Sequence, residues 1–562
     1  MKKILFHSNS AKAFTGFGKN SKNILRYLQK TGKYEIIEFA NGLKWGDKSL
    51  SLRPWKAQGS LPNNPKLLQE LNKDPKRGRA ASYGAETIDS AIKEYKPDIY
   101  LGVEDVWAFA GYWDKPWWKK INSIIWTTLD SQPILPQALE CAEKTKHFYS
   151  WASFAEKDLK KMGHDHVGTL HGSVETKDFF KHSKNRKEEL RNKFGLSDNF
   201  VIGFVFRNQL RKSVPNLLEG FKRFKKDCPK AKLLLHTHWS EGWDIPRLIE
   251  EKEINKKDVL TTYCCKHCSE YDVKEFVGQE QDCRFCKTKK STNTTNVSVG
   301  VNEEQLNDIY NIMDVYCHPF TSGGMEIPIF EAKMTELITL VTNYSCGEDS
   351  SSRECGSFPL DWSEYREPGT QFIKASTHPT SIAKQLKKVW QMGPEKRIDL
   401  GKKGREWTIK NYSTESIGKK LEVILDSMPE IDYNFDFDED KKQGASLIDL
   451  LNDGNRIAVV IPQDIGDVLW VNSLMSNLKK LYNSHDIYVF TKPEFFSYIE
   501  DNPSIHKVLT YSKEIDNIYF LEGKGEHKGF FDMAFFPHHG TQVLSDYSHN
   551  GKDKNQFELY EN

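Results

Sequence analysis

The chain has 562 residues, material for three or four domains at roughly 150 residues each, and its 38% hydrophobic, 28% charged composition is that of a globular protein. Its 80 Lys and Arg against 78 Asp and Glu leave a net charge of +2, which by itself points to no partner. No stretch nears the ~20 apolar residues of a membrane span, and "MKKILFHSNS" has too short an apolar run for a signal peptide. Five of the ten cysteines fall within 264–286, which favours a metal site in a reducing, cytoplasmic compartment over a disulfide framework.

In chain order, residues 2–7 ("KKILFH") read as a buried strand. Gly16 and Gly18 follow, then an amphipathic helix with Ile24, Leu25 and Leu28 on its apolar stripe. Strands are predicted at 34–40, 98–103, 123–129 and 147–153, and the stretch 41–85 reads as a long irregular segment. Residues 1–80 carry 17 Lys and Arg against 5 Asp and Glu, a basic bias that suits phosphate or acidic lipid as well as plain solvation. The pattern restarts with strands at 199–206 and 231–238 around a helix over 213–228. It continues with a helix in "EEQLNDIYNIM", strands in "DVYCHP" and at 337–343, and helices near 380–394 and 402–426. Alternating strands and helices imply two doubly wound α/β domains, 1–190 and 191–427, facing a cleft at their strand ends. An acidic linker (428–453) and a third small α/β domain (454–562) complete the chain.

Three stretches at successive strand ends of the second domain carry chemistry together. "FRNQLRK" offers Arg207 and Lys212 to a departing diphosphate, and "HTHW" places His236 and His238 at the next strand end. "TSGGMEIPIFEA" supplies Gly323 and Gly324 for close backbone approach, Pro328 for a first helical turn, and the carboxylates Glu326 and Glu331. A helix start attracts phosphate and a carboxylate accepts from ribose hydroxyls, so the expected ligand is a nucleotide. Separately, Cys265-x-x-Cys268 and Cys283-x-x-Cys286 form two knuckles suited to tetrahedral Zn²⁺ inside an insert at 261–292, with Cys264 and His267 as spare ligands. A structural staple is the expected role of that zinc ribbon, and contact with nucleic acid through the following "KTKK" is the sharper alternative.

Over residues 1–426 these motifs resemble the family 4 class of GT-B glycosyltransferases, retaining enzymes that use nucleotide-sugar donors. Arg207 and Lys212 match that family's paired cations, and "GGMEIPIFEA" aligns with its E-G-F-G-x-P-x-x-E-A through Pro328, Glu331 and Ala332. The resemblance implies that Glu331 holds the donor ribose. Gly323 stands where the family's first Glu would be, with Glu326 three residues on as its replacement. It also implies that Gly16 and Gly18 of "TGFGKNSKNIL" approach donor phosphates or sugar, and that Asp130 stands where a His often contacts acceptor or sugar. "LHGSVETKDFF" (170–180) corresponds to a structural segment near the interdomain hinge. No catalytic metal is implied, so "DFD" and "DED" of the acidic run are expected to be solvated charge. The C-terminal "IGDVLWVNSLMSNLKKLY" is similar to the first half of a heptosyltransferase-type GT-B enzyme, an accessory half domain. The sequence style resembles transferases of tailed bacteriophages acting in the host cytoplasm, whose acceptors include hydroxymethylated DNA bases. A bacterial glycan or lipid acceptor, and a catalytically degenerate nucleic-acid- or partner-binding module, are the alternatives.

Overall fold

The computed structural model describes residues 1–13, 15–296, 299–435, 455–462, 464–511, 523–524, 527–528 and 531–537. Residues 436–453 of the acidic linker, with its "DFD" and "DED", lie outside them. The chain divides into two compact units, 1–437 and 438–562.

The first unit opens on an all-parallel sheet of seven strands: β1 (Lys2–Asn9), β2 (Tyr34–Lys44), β3 (Lys56–Leu61), β4 (Ile99–Val103), β5 (Asn122–Thr127), β6 (His147–Ser150) and β7 (Gly168–Thr169). Their order, β3-β2-β1-β4-β5-β6-β7, reverses direction at β1 and so creates a switch point between β1 and β4. The interior of β1 is buried on both faces, as an apolar run in a covered parallel sheet must be. Ile4 and Phe6 pack on the helix Gly16–Thr31 through Ile24, Leu25 and Leu28, while Leu5 joins the opposite core. Thr15 caps that helix by accepting from the Gly18 N–H at 3.0 Å, and Gly32 ends it in the left-handed region at φ 66°.

The stretch 41–85 is built where an irregular segment was expected. It holds β3 and the helices Pro65–Leu71 and Pro75–Ser82. Each helix starts on a proline preceded by a capping Asn64 or Asp74, a start signal present in "NNP" and "KDP" but overshadowed by the surrounding charge.

The second half of this unit contains β8 (Phe200–Val205), β9 (Ala231–His236), β10 (Val259–Cys265), β14 (Val315–His318), β15 (Thr339–Thr342) and β16 (Ser357–Leu360), parallel in the order β10-β9-β8-β14-β15-β16. The cysteine insert grows from β10 as the antiparallel strands β11 (Tyr271–Glu275), β12 (Glu280–Gln281) and β13 (Thr292–Thr294). A hairpin, β17 (Trp362–Arg366) and β18 (Ile373–Thr377), reaches back to the first half, where the Ile373 N–H donates to the Gln132 carbonyl at 2.7 Å. The chain then crosses over: the helix Thr414–Asp426 leaves the second sheet and buries Ile417, Leu421 and Leu425 against Ile4, Ile24 and Leu28 of the first.

The second unit pairs β19 (Asn455–Ile461), β20 (His485–Thr491), β21 (Lys507–Thr510) and Met533–Phe535 in a parallel sheet, with the helix Ile465–Leu481 capped by Asp464. Among the described residues no helix is long and apolar enough to cross a membrane.

Candidate active site

The C-terminal ends of both sheets meet in the first unit. After β8 the chain makes a 3-10 turn, Leu210–Lys212, and Ser213 enters the next helix with φ 41°. This turn decides which cations face inward. Arg207 stays outside, its side chain 56% exposed and paired with Glu241 at 3.2 Å. Arg211 and Lys212 instead both bind the Glu326 carboxylate, whose side chain is only 3% exposed. The His318 imidazole Nε2 lies 2.9 Å from the same carboxylate. Burial alone would raise the Glu326 carboxyl, but Arg211, Lys212 and His318 override it and hold it well below the usual range. Burial and the neighbouring Arg211 bring Lys212 down to about 8, so it remains a cation at neutral pH. Burial lowers His318 to about 4, which leaves it neutral.

A second cluster joins the two halves. Lys19, from the helix that begins at Gly16, donates to Glu331 at 2.6 Å, and the Tyr310 hydroxyl donates to the other Glu331 oxygen at 2.8 Å. Burial works against the Lys19 charge, yet Glu331 raises its pKa overall. His236 ends β9 with its Nδ1 buried and without a partner, and burial together with Lys19 lowers it to about 4. Gly16 stands opposite Ile327, 3.5 Å from the place of an added Cβ, while Gly18 is needed because such an atom would lie 2.3 Å from the Ala13 carbonyl.

The glycine loop lies against the first half. A Cβ on Gly324 would meet Thr128 at 2.4 Å and the Asp130 carboxylate at 3.0 Å, and one on Gly323 would meet Glu326 at 2.8 Å. Behind it, the Lys374 ammonium donates to Ser131 and Ser322, each at 2.7 Å. Asp130 therefore sits at the junction of the halves, beside Asp105, which accepts from Thr128.

The structure brings Lys212, Glu326, Glu331, Gly323, Gly324, Asp130 and His236 to one region together with Arg211, Lys19, Tyr310, His318, Asp105 and Lys374, which the sequence does not single out. Arg211 adjoins Lys212 in "QLRKS" and was findable. The others reach the site only through tertiary packing.

At the end of β4, Glu104 is buried and accepts from the Asn41 amide at 3.3 Å. Burial, with the Asp105 charge beside it, pushes its carboxyl up to about 8. A raised folded pKa means that the contribution is full below the unfolded value and is lost as pH rises toward 8. Glu104→Gln is therefore expected to raise the melting temperature at pH 8 and leave it unchanged at pH 4, as followed by thermal denaturation across that range.

In the insert, the Sγ atoms of Cys265, Cys268, Cys283 and Cys286 lie within 4.8 Å of one another. Cys265–Cys286 and Cys268–Cys283 are each separated by 3.7 Å. That separation matches the ~3.8 Å edge of a tetrahedron with ~2.3 Å metal–sulfur bonds, so the donor set fits Zn²⁺. The Cys265 sulfur also accepts from the His267 and Cys268 N–H groups at 3.4 and 3.5 Å, which orients it as a thiolate ligand.

No family model matches the chain, and no curated protein matches it in sequence. Solved structures do. Anabaena Alr3699/HepE, crystallised with UDP and glucose, is similar over 76% of this chain and 100% of its own, with TM-score 0.53 and 12% identity. Sucrose-phosphate synthase from Thermosynechococcus elongatus matches over 76% of this chain and 98% of its own, with TM-score 0.53 and 13% identity. The fold is GT-B. The N-terminal domain of Candida albicans trehalose-6-phosphate phosphatase aligns over 76% of this chain and 96% of its own, with TM-score 0.51 and 13% identity. The Arg211–Lys212 and Lys19–Glu331 clusters lie where the two halves of this fold meet.

Proposed function

We propose that this chain transfers a sugar from a nucleotide-sugar donor to an acceptor hydroxyl. The observation that carries the reading is the Arg211–Lys212 pair, held at a strand end beneath the glycine loop and facing the other half of a GT-B fold. Two fixed cations stabilise a diphosphate as its charge grows on departure. Glu331, in the helix Ile327–Met334, accepts from ribose hydroxyls, and Asp130 borders the reacting centre with Asp105. Retention of configuration accompanies the family 4 resemblance. HepE crystallised with UDP-glucose supports a uridine donor.

Zinc in the four-cysteine site staples the insert, where it orders four thiolates and the chain between them. The C-terminal unit is an accessory half domain. Lys66, Lys73, Lys76 and Arg77 are exposed on and between the two helices after β3, and they favour an anionic acceptor such as DNA carrying hydroxymethylated bases.

The test is release of nucleotide from UDP-, GDP-, ADP- and CDP-sugars by the purified chain, with Glu331→Ala beside it. Turnover of one donor, lost in the variant, is the expected result. No release from any of them, even with hydroxymethylated DNA and bacterial glycan present, leaves a nucleic-acid- or partner-binding module as the function.

A further inference from the structure

Within the proposed donor site one group is out of place. A pair of cations meant for a diphosphate already holds an anion, and that anion belongs to the chain. Glu326 occupies the cap position of the helix Ile327–Met334, yet its side chain makes no capping bond there. It turns instead to Arg211 and Lys212, and the missing side chain at Gly323 leaves room for that ion pair, because a Cβ there would fall 3.0 Å from the Arg211 guanidinium.

The second observation concerns a cavity that Glu326 also lines. This small cavity between the halves has Glu326, Met325, Cys346, Trp151 and Ser350 in its lining, with Asp349, whose carboxylate is engaged by Ser153. Two of these residues each carry a buried polar atom without a hydrogen-bond partner, the Trp151 indole N–H and the Ser350 hydroxyl. Both can donate, and what they lack is an acceptor. The Trp151 ring packs edge-on with Phe17 at 5.1 Å and tilted on Trp126 at 5.7 Å between ring centroids, which holds it in a rigid frame.

We propose that Glu326 is a two-position counter-anion: it neutralises Arg211 and Lys212 in the absence of donor, and swings to the Trp151 and Ser350 donors when a diphosphate takes its place. This rests on reading Arg211 and Lys212 as the diphosphate cations. No bond is made or broken. One anion replaces another on the cation pair, and the displaced carboxylate gains the two donors that now lack an acceptor. The device keeps the buried Lys212 and the half-buried Arg211 paired at every stage, since an uncompensated buried charge is strongly destabilising. It also sets a threshold: a ligand must compete with an internal carboxylate, which a diphosphate does with two charges and a singly charged anion does poorly.

Titration calorimetry of the full chain with inorganic pyrophosphate and with UDP, GDP and ADP tests this on two variants of opposite expected sign. Glu326→Gln removes the competitor and is expected to tighten pyrophosphate binding by about tenfold or more. Ser350→Ala removes one donor of the second position and is expected to weaken it by about threefold. Equal or weaker binding by Glu326→Gln overturns the proposal. Should that variant fail to fold by circular dichroism, unchanged affinity in Ser350→Ala overturns it instead. Pyrophosphate responding with these signs while no nucleoside diphosphate binds either chain would uphold the counter-anion and sink the nucleotide-sugar reading. Absence of pyrophosphate binding to both Glu326→Gln and the unaltered chain would sink both.

Discussion

Lys212→Met is expected to cut nucleotide-sugar turnover by about a hundredfold or more, whereas Arg207→Met is expected to stay within about threefold of the unaltered chain. The contrast follows from exposure. Lys212 is 4% exposed and aimed at the anion position, while Arg207 lies outside on Glu241. A fixed donor in a dry site stabilises developing charge far more than a mobile cation in water, where the same interaction is screened. Steady-state release of nucleotide measures both variants, and Arg211→Gln should follow Lys212→Met. Equal losses at Arg207 and Lys212 would mean that the loop after β8 rearranges when donor binds. Methionine keeps most of the length of the lysine stem, so a lost charge, and not a cavity, is what the comparison reads.

The second large effect concerns the insert. Metal analysis of the purified chain is expected to find one zinc per molecule, and Cys268→Ser to abolish it. With three thiolates and a weak hydroxyl ligand, the residues 266–290 lose what orders them, and a protease should cut there first. Structural zinc in small domains is worth on the order of 10 kcal/mol, which is folding energy for the segment that holds it. The sheets of the first unit should survive, because β10 pairs with β9 over Val259–Thr261, ahead of the first ligand. Retention of zinc by Cys268→Ser would assign the fourth ligand to Cys264 or His267.

The parallel strands were legible because buried parallel sheets demand unbroken apolar runs, and "KKILFH", "NFVIGFVF" and "AKLLLHTH" supply them. The four-cysteine cluster was legible for a different reason: its spacing is itself the chemistry. What could not be read was direction. Arg207 and Arg211 share one short loop, and only the 3-10 turn at Leu210–Lys212, followed by the positive φ of Ser213, sends the second inward. The family motif suggests Glu326 in place of the Glu associated with the donor sugar, and in the structure Glu326 holds two cations and a histidine. Lys19 and Tyr310 meet at Glu331 from 312 and 21 residues away, separations at which no local pattern operates. The helices after β3 carry their start signals, Asn64–Pro65 and Asp74–Pro75, inside a stretch whose dense charge masks them.

The two strands of chain that connect the halves touch each other. The Val174 N–H donates to the Tyr412 carbonyl at 2.8 Å, and the Thr414 N–H donates to the Val174 carbonyl at 3.0 Å. Two crossings bonded side by side act as one pivot: they permit swivelling about a common line and resist sliding or separation. Because the helix Thr414–Asp426 is packed on the first half, Ser413 stands where the chain passes from the second half back to the first. Any swing that admits a ligand must therefore be absorbed in the backbone angles of a few residues around Val174 and Ser413. Stiffening those residues would slow the rate at which the cleft is sampled while leaving the closed geometry, and every contact within it, as it is.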